Sequence, residues 1–312
     1  GSMIWDKCLN VPDVNRISYA AATAGNDIVV AGYLNPDIHY NDGQFFMLQL
    51  DENGKKKWFK KFSQFIVCHD FSNNGALIFG GYYLTFDTLL RTDTVFLPTD
   101  TALAEKPFRL DTVKTLDSLN PHLKYWISRH RNNLNRIWFR NYSSEGMVTS
   151  VNFANDNKLF VTGMHWICFL DPSGYILWDT FLPETDIAYT SFVASDGILI
   201  AGSRNKADVW LAKYDFEGNR LWEKVYDNNG TTDIPYKIAC SNEKIYLCSY
   251  SNARLWMKMT DMNGNLRRDF NIKTYTKPKI MDIKINKNNK PVIFTTFADK
   301  GKNSDFIILE MK

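Results

Sequence analysis

The sequence predicts an all-β protein: a six-bladed β-propeller of four-stranded blades, closed by the N-terminal strand pairing with the C-terminal blade. Three observations carry this expectation. A set of signposts (an aromatic, Asp five residues later, Gly three after that, Trp four further on) recurs along the chain. Two strand-like runs precede each copy of it. One strand is missing at the end of the chain and one is spare at its start.

The clearest copy is 208–226, DVWLAKYDFEGNRLWEKVY, with Trp210, Asp215, Gly218 and Trp222. Alternate residues of a strand face opposite sides, so Val209, Leu211 and Lys213 share one face and Trp210, Ala212 and Tyr214 the other. Asp-x-x-Gly is hairpin chemistry. The carboxylate bonds backbone N–H groups just ahead of it, and Gly takes the positive φ that closes a short hairpin with a bulge. Phe46, Asp51, Gly54 and Trp58 repeat the pattern, as do Trp166, Asp171, Gly174 and Trp178. Trp256, Asp261 and Gly264 repeat it with Arg268 in the last place, and Trp126 and Trp138 with Arg131 and Leu134 between them. The reference positions 51, 131, 171, 215, 261 and 311 lie 80, 40, 44, 46 and 50 residues apart, the spacing of propeller blades.

Taken in order, residues 3–9 (MIWDKCL) resemble the fourth strands at 175–182 and 219–226 and are assigned as the closing strand. Residues 1–2 read as a cloning scar. Blade one spans 15–62, with a long connection at 34–43, and ends in KKKWFKKF, read as a solvated edge. Blade two spans 63–142 and holds a long insertion, 84–122. Two readings of that insertion stand: a degenerate seventh blade, or an extra hairpin or short helix across one face. Blades three, four and five span 143–181, 182–226 and 227–272, and blade six is 273–312 completed by 3–9, all in one domain.

Composition narrows the class. The chain has nine Trp, fifteen Tyr and twenty-one Phe, ample for a sheet-stacked core. A net charge of +3 implies no nucleic-acid or acidic-lipid surface, and no apolar run spans a membrane. Five cysteines sit in strand-like runs and read as reduced core side chains, which suits a cytoplasmic setting; export with a removed signal peptide is the alternative.

The text of 195–226 resembles the delta-60-like repeats of bacterial propeller proteins, and the Asp-x-x-Gly-x-x-x-Trp units resemble the PQQ-like repeat. The resemblance implies a WD40-like binding or scaffold module whose repeat residues are structural. The extra Thr before Gly is absent and six units replace eight, so no quinone or other cofactor is expected. Sialidase Asp boxes place Gly two after Asp, and here it is three after.

No nucleophile elbow, phosphate loop or Cys-x-x-Cys occurs, and no His lies at metal-ligand spacing, so no metal and no catalytic residue is assigned. His69 and Asp70 adjoin on an inner strand and read as channel-lining or core. In a propeller the connections between second and third strands share an end with those between blades. Loops on a rigid scaffold carry recognition, so binding is expected there, through Asp37, His39, Tyr40, Asp87, Arg91, Asp93, His122 and Tyr275. The expectation is a monomeric, non-catalytic propeller that binds a protein or peptide. The alternatives are a glycan-binding module, or a glycan-acting hydrolase or lyase whose loop carboxylates (among them Asp87, Asp93, Glu184, Asp186, Asp227 and Asp233) converge at the channel mouth.

Overall fold

The computed structural model describes residues 14–22, 28–34, 44–62, 65–72, 76–98, 108–131, 135–205, 207–227, 233–241, 243–251, 254–272, 278–286, 288–297 and 305–310. These form six antiparallel sheets in chain order. Sheet one holds β1 (Val14–Ala22), β2 (Ile28–Leu34), β3 (Gln44–Leu50) and β4 (Lys56–Phe62). Sheet two holds β5 (Phe65–Phe71), β6 (Leu77–Pro98), β7 (Phe108–His130) and β8 (Arg136–Glu145). Sheet three holds β9 (Val148–Phe153), β10 (Leu159–Gly163), β11 (Trp166–Leu170) and β12 (Ile176–Phe181). Sheet four holds β13 (Ile187–Ala194), β14 (Gly197–Arg204), β15 (Asp208–Tyr214) and β16 (Arg220–Tyr226). Sheet five holds β17 (Asp233–Cys240), β18 (Lys244–Ser251), β19 (Arg254–Asp261) and β20 (Leu266–Ile272). Sheet six holds β21 (Pro278–Ile285), β22 (Pro291–Phe297) and β23 (Asp305–Glu310). The strand expected to close the ring, 3–9, lies outside the described residues.

Each sheet pairs its strands in sequence order, so every hairpin turns between neighbours. First strands of successive sheets, from β5 through β21, adjoin one another. Apolar clusters fill the spaces between sheets. Ile78, Tyr125 and Ile127 of sheet two meet Val148, Val161 and Trp166 of sheet three. Phe160 and Ile167 meet Ile198 and Trp210, and Leu199 and Leu211 meet Ile245 and Trp256.

The signposts have distinct physical roles. The first aromatics, Trp126, Trp166, Trp210 and Trp256, are fully buried. The Asp side chain organises its own turn: Asp215 Oδ1 accepts the N–H groups of Glu217 (3.1 Å) and Asn219 (2.7 Å), and Asp171 does the same for Ser173 and Tyr175 at 2.8 Å each. A bulge follows at Lys213/Tyr214, and Gly218 sits at φ 92°. The second Trp locks onto the next sheet. Trp178 Nε1 donates to the Phe216 carbonyl in the turn of sheet four (2.9 Å), and Trp138 Nε1 to the Pro172 carbonyl in the turn of sheet three (2.9 Å). A Cβ on Gly218 would meet the Trp178 ring at 2.8 Å, and one on Gly174 would meet Trp138 at 2.9 Å. Glycine is required there both by the left-handed backbone and by the indole stacked on it.

The insertion is a hairpin, but not a separate one. β6 and β7 pair continuously from Leu77↔His130 to Pro98↔Phe108, with one bulge between Phe86 and Asp87. Residues 84–98 and 108–122 thus extend the two middle strands of sheet two, and the described residues of this segment form no separate sheet. At about 3.3 Å per residue, its 15-residue arms run roughly 50 Å past the sheet.

Candidate functional site

The strand order gives the six sheets two ends. One carries the turns from first to second and from third to fourth strands; the other carries the long connections and the arm. Asp37, His39, Tyr40 and Tyr275 lie outside the described residues. Asp87, Arg91 and Asp93 fall at register positions of one parity on β6, opposite Leu119, Thr115 and Val113 of β7, and His122 pairs with Thr85 nearer the sheet.

At the connection end the expected meeting of carboxylates takes a different form. Asp186 is buried, and Arg204 holds it through Nε and Nη2, each 3.2 Å from Oδ2. Nη1 of the same guanidinium lies 2.6 Å from Glu223 Oε1, and Arg220 adds a contact of 2.9 Å to Oε2. Arg204 donating to it holds the Glu223 carboxyl below its ordinary value. His165 Nδ1 lies 2.7 Å from the Asp186 carbonyl oxygen and ties the loop after β12 to the turn before β11. Arg204 therefore pairs with both carboxylates. Glu184 and Asp227 are exposed and Asp233 is buried.

The cavity that brings polar groups together opens at the turn end, where β5, β9 and β13 terminate. It measures about 480 Å³ and is lined by Asp70, Ser72, Phe153, Asn155, Asp156 and Ser195, among others. Asp70 Oδ2 accepts the Phe153 N–H at 2.7 Å, which joins sheet two to sheet three at the cavity wall. The turn at 154–158 closes through Ala154 N–H to the Lys158 carbonyl (2.8 Å), and Asp156 and Asn157 take φ of 57° and 59°. Asp and Asn tolerate that region better than other side chains. Arg129 braces the turn from behind: its Nη1 donates to the Pro172 carbonyl (2.7 Å) and more weakly to that of Asn157 (3.4 Å). The guanidinium also lies 5.7 Å over the Phe153 ring, and burial lowers its pKa from the ordinary arginine value. Two carboxylates, amides, hydroxyls and a ring edge suit a hydroxyl-rich ligand, and the volume is that of a small-molecule site.

Among the described residues the cysteines offer no nucleophile. Burial pushes the thiols of Cys68, Cys168 and Cys248 far above their ordinary value, and that of Cys240 to about 11. Among the described residues no group of three His, Cys, Asp or Glu side chains could hold a metal ion, and no helix is long and apolar enough to cross a membrane.

Sequence reasoning placed Asp70 on an inner strand but missed Phe153, Asp156 and Arg129. It ranked loops by length and so looked to the connection end. The available signals were the Asn-Asp-Asn run at 155–157 and an Arg on the third strand of a blade lacking the turn Asp.

No family model matches the sequence, and no curated protein matches it. Solved structures do. The chain is similar to the WD40 domain of Pan2 from Neurospora crassa, with a TM-score of 0.55 at 11% identity over 95% of this chain and 80% of that one. It is similar to the NanB sialidase of Streptococcus pneumoniae, with a TM-score of 0.54 at 8% identity over 98% of this chain and 70% of that one. These likenesses establish a propeller-type all-β fold and leave the finer resemblance to delta-60-like or PQQ-like repeats without support. They also correct the expectation of a non-catalytic protein: an enzyme shares this fold, so the fold gives no ground for setting catalysis aside.

Proposed function

We propose that the six sheets are the blades of one closed, single-domain propeller, and that the protein recognises a protein or peptide partner through the end that carries the arm. The observation behind this reading is the arm itself. Among the described residues, 84–98 and 108–122 pair only with each other, while β5 pairs β6 no further than Tyr82 and β8 pairs β7 no further than Lys124. A two-stranded ribbon leaves unpaired N–H and C=O groups along both edges, and such edges accept an added strand. Asp87, Arg91, Asp93 and His122 would supply side-chain contacts, with Asp37, His39, Tyr40 and Tyr275 from neighbouring loops. A monomeric chain in a reducing cytoplasm is the setting that fits the free thiols of Cys68, Cys168, Cys240 and Cys248. Affinity enrichment with the full chain, with 86–119 deleted and with Arg91→Glu tests the reading. A partner held by the full chain and lost from both variants is the expected result; an unchanged partner set sinks it.

A second reading has its own support: a glycan-acting or glycan-binding site in the turn-end cavity, where Asp70 and Asp156 line one space beside Phe153. Glycan-array binding and hydrolysis by the wild type are compared with Asp156→Asn. No binding and no turnover on any glycan removes this reading.

A further inference from the structure

The outer strands of the sheets differ in how they are guarded. β4, β8, β12, β16 and β20 all share a bulge near the turn that leads into them, so the difference lies in their side chains. β4 carries Lys56, Lys57, Lys60 and Lys61, and β8 carries Arg136 and Arg140. β16 carries Arg220, Glu223 and Lys224, and β20 carries Arg267, Arg268 and Asp269. Charges along an outer strand are a common defence against pairing with another chain. β12 has only Asp179, and Oδ2 of that carboxylate accepts Trp166 Nε1 at 3.0 Å. No lysine or arginine stands anywhere between Lys158 and Arg204.

What β12 shows instead is apolar. Among the described residues eight large apolar side chains are well exposed, and four of them fall within 175–181: Tyr175 at 60%, Ile176 at 46%, Leu177 at 50% and Phe181 at 66%. β12 is outermost in its sheet and, among the described residues, pairs with β11 alone. A neighbouring cation, Arg140, is already engaged: its guanidinium lies 3.8 Å over the Tyr175 ring and its Nε donates to the Ser173 carbonyl at 2.8 Å. An exposed apolar edge of this kind is an association site. Its chemistry limits the occupant. Without a cation of its own it offers nothing to an anionic membrane or to a nucleic acid. A strongly charged strand would leave its charges unmatched against leucine and phenylalanine. A neutral, apolar strand matches it, and the chain itself supplies one. Set antiparallel to its own copy about a two-fold axis, β12 puts apolar side chains beside apolar ones, and no charge meets its like unless the axis falls on Asp179 itself. With aromatic side chains of about 150–250 Å², the exposed parts of Tyr175 and Phe181 come to roughly 200–300 Å² per copy. With Ile176 and Leu177 added, two copies bring together an area close to the roughly 1,000 Å² at which specific interfaces begin.

We infer that two copies of the chain associate through β12, the two strands pairing antiparallel so that the four-stranded sheet three of each copy continues into that of the other. An interface of that size holds weakly. The chain is therefore a monomer when dilute, as in the reading above, and a dimer when concentrated. The pairing uses no residue of the arm and does not depend on its role.

Sedimentation velocity of the full chain is followed from about 1 to about 200 μM. The expected result is a shift from monomer to dimer across that range, lost in Leu177→Lys/Phe181→Lys and unchanged in Leu221→Lys on β16. Phe181→Ser alone, a milder change, weakens the association about threefold or more. Deleting 86–119 leaves it unchanged. Hydrogen exchange at amides within 175–181 slows as the chain is concentrated. Thermal unfolding checks that each variant is folded, and every altered side chain is exposed. A wild type that stays monomeric at the highest concentration overturns the proposal, even if another protein's strand takes the edge. So does a dimer that survives Leu177→Lys/Phe181→Lys, one lost on deleting 86–119, or one whose 175–181 amides stay unprotected, since each is association through another surface.

Discussion

Sheets two and four make the same use of their outer strands and different use of everything else. Sheet four keeps every signpost and its strands are seven or eight residues long. Sheet two has Arg131 and Leu134 where the turn would carry Asp and Gly, and middle strands of 22 and 23 residues. Yet Trp138, Arg140 and Tyr142 of sheet two donate to the carbonyls of Pro172, Ser173 and Gly174 at 2.9, 2.8 and 2.8 Å. In sheet four Tyr226 reaches Gly264 in the same way at 2.6 Å. The element retained in both is the grip on the following sheet's turn. A sheet's second-to-third connection is free to change, because it takes no part in that grip, whereas the turns of sheets three and four are what the preceding sheets hold.

The comparison is tested most severely at the gripped glycines. Gly174→Val and Gly218→Val each force a branched side chain into the left-handed region and into an indole, and each should lower unfolding free energy by about 3 kcal/mol. Urea denaturation measures this. A Gly174 variant much milder than the Gly218 variant breaks the equivalence of the two locks. Next in size, Trp138→Ala and Trp178→Ala remove a partly buried indole and its hydrogen bond, at about 2–3 kcal/mol apiece by the same assay. Arg129→Met retains length but loses the bonds to the Pro172 and Asn157 carbonyls, for about 1–2 kcal/mol. It should also raise proteolysis within 154–158, read by mass spectrometry. Deleting 86–119 should leave the thermal midpoint of the remaining sheets almost unchanged, because the arm's pairing is internal to it; a large fall would show that the arm packs back on the body.

The smallest expected effect is on acid stability. Asp215 and Asp261 are held below the ordinary Asp value of 3.8, Asp215 chiefly by Asn219 and Asp261 chiefly by the N–H of Asn265. Glu223 is likewise held below its 4.5, by Arg204. Groups depressed in the folded chain stabilise it fully above their unfolded values and lose that contribution as pH falls through the folded ones. Stability should therefore decline below about pH 4, less steeply in Asp215→Asn. Sheet two's turn, with Arg131 in the Asp position, contributes nothing to that decline.

Much of the fold was legible because its repeat residues each do one local job. Asp215 and Gly218 specify a turn whatever surrounds them, and Trp210 in an alternating strand specifies burial. The course of 84–122 was not legible, because its Thr- and Asp-rich text lacks turn punctuation where the strands simply continue. The cavity was hidden for a different reason. Asp70 and Asp156 are 86 residues apart in sequence and meet only because first strands of adjacent sheets run side by side.

The grip of one sheet on the next also has a direction. Trp178 must find the Phe216 carbonyl, 38 residues nearer the C-terminus, and Trp138 the Pro172 carbonyl, 34 residues on. During synthesis at about 5–20 residues per second, each finished sheet therefore waits some 2–8 seconds for the turn that secures it. Through that interval the nascent polypeptide carries one unlatched indole at its growing end, a natural place for a ribosome-associated chaperone to hold.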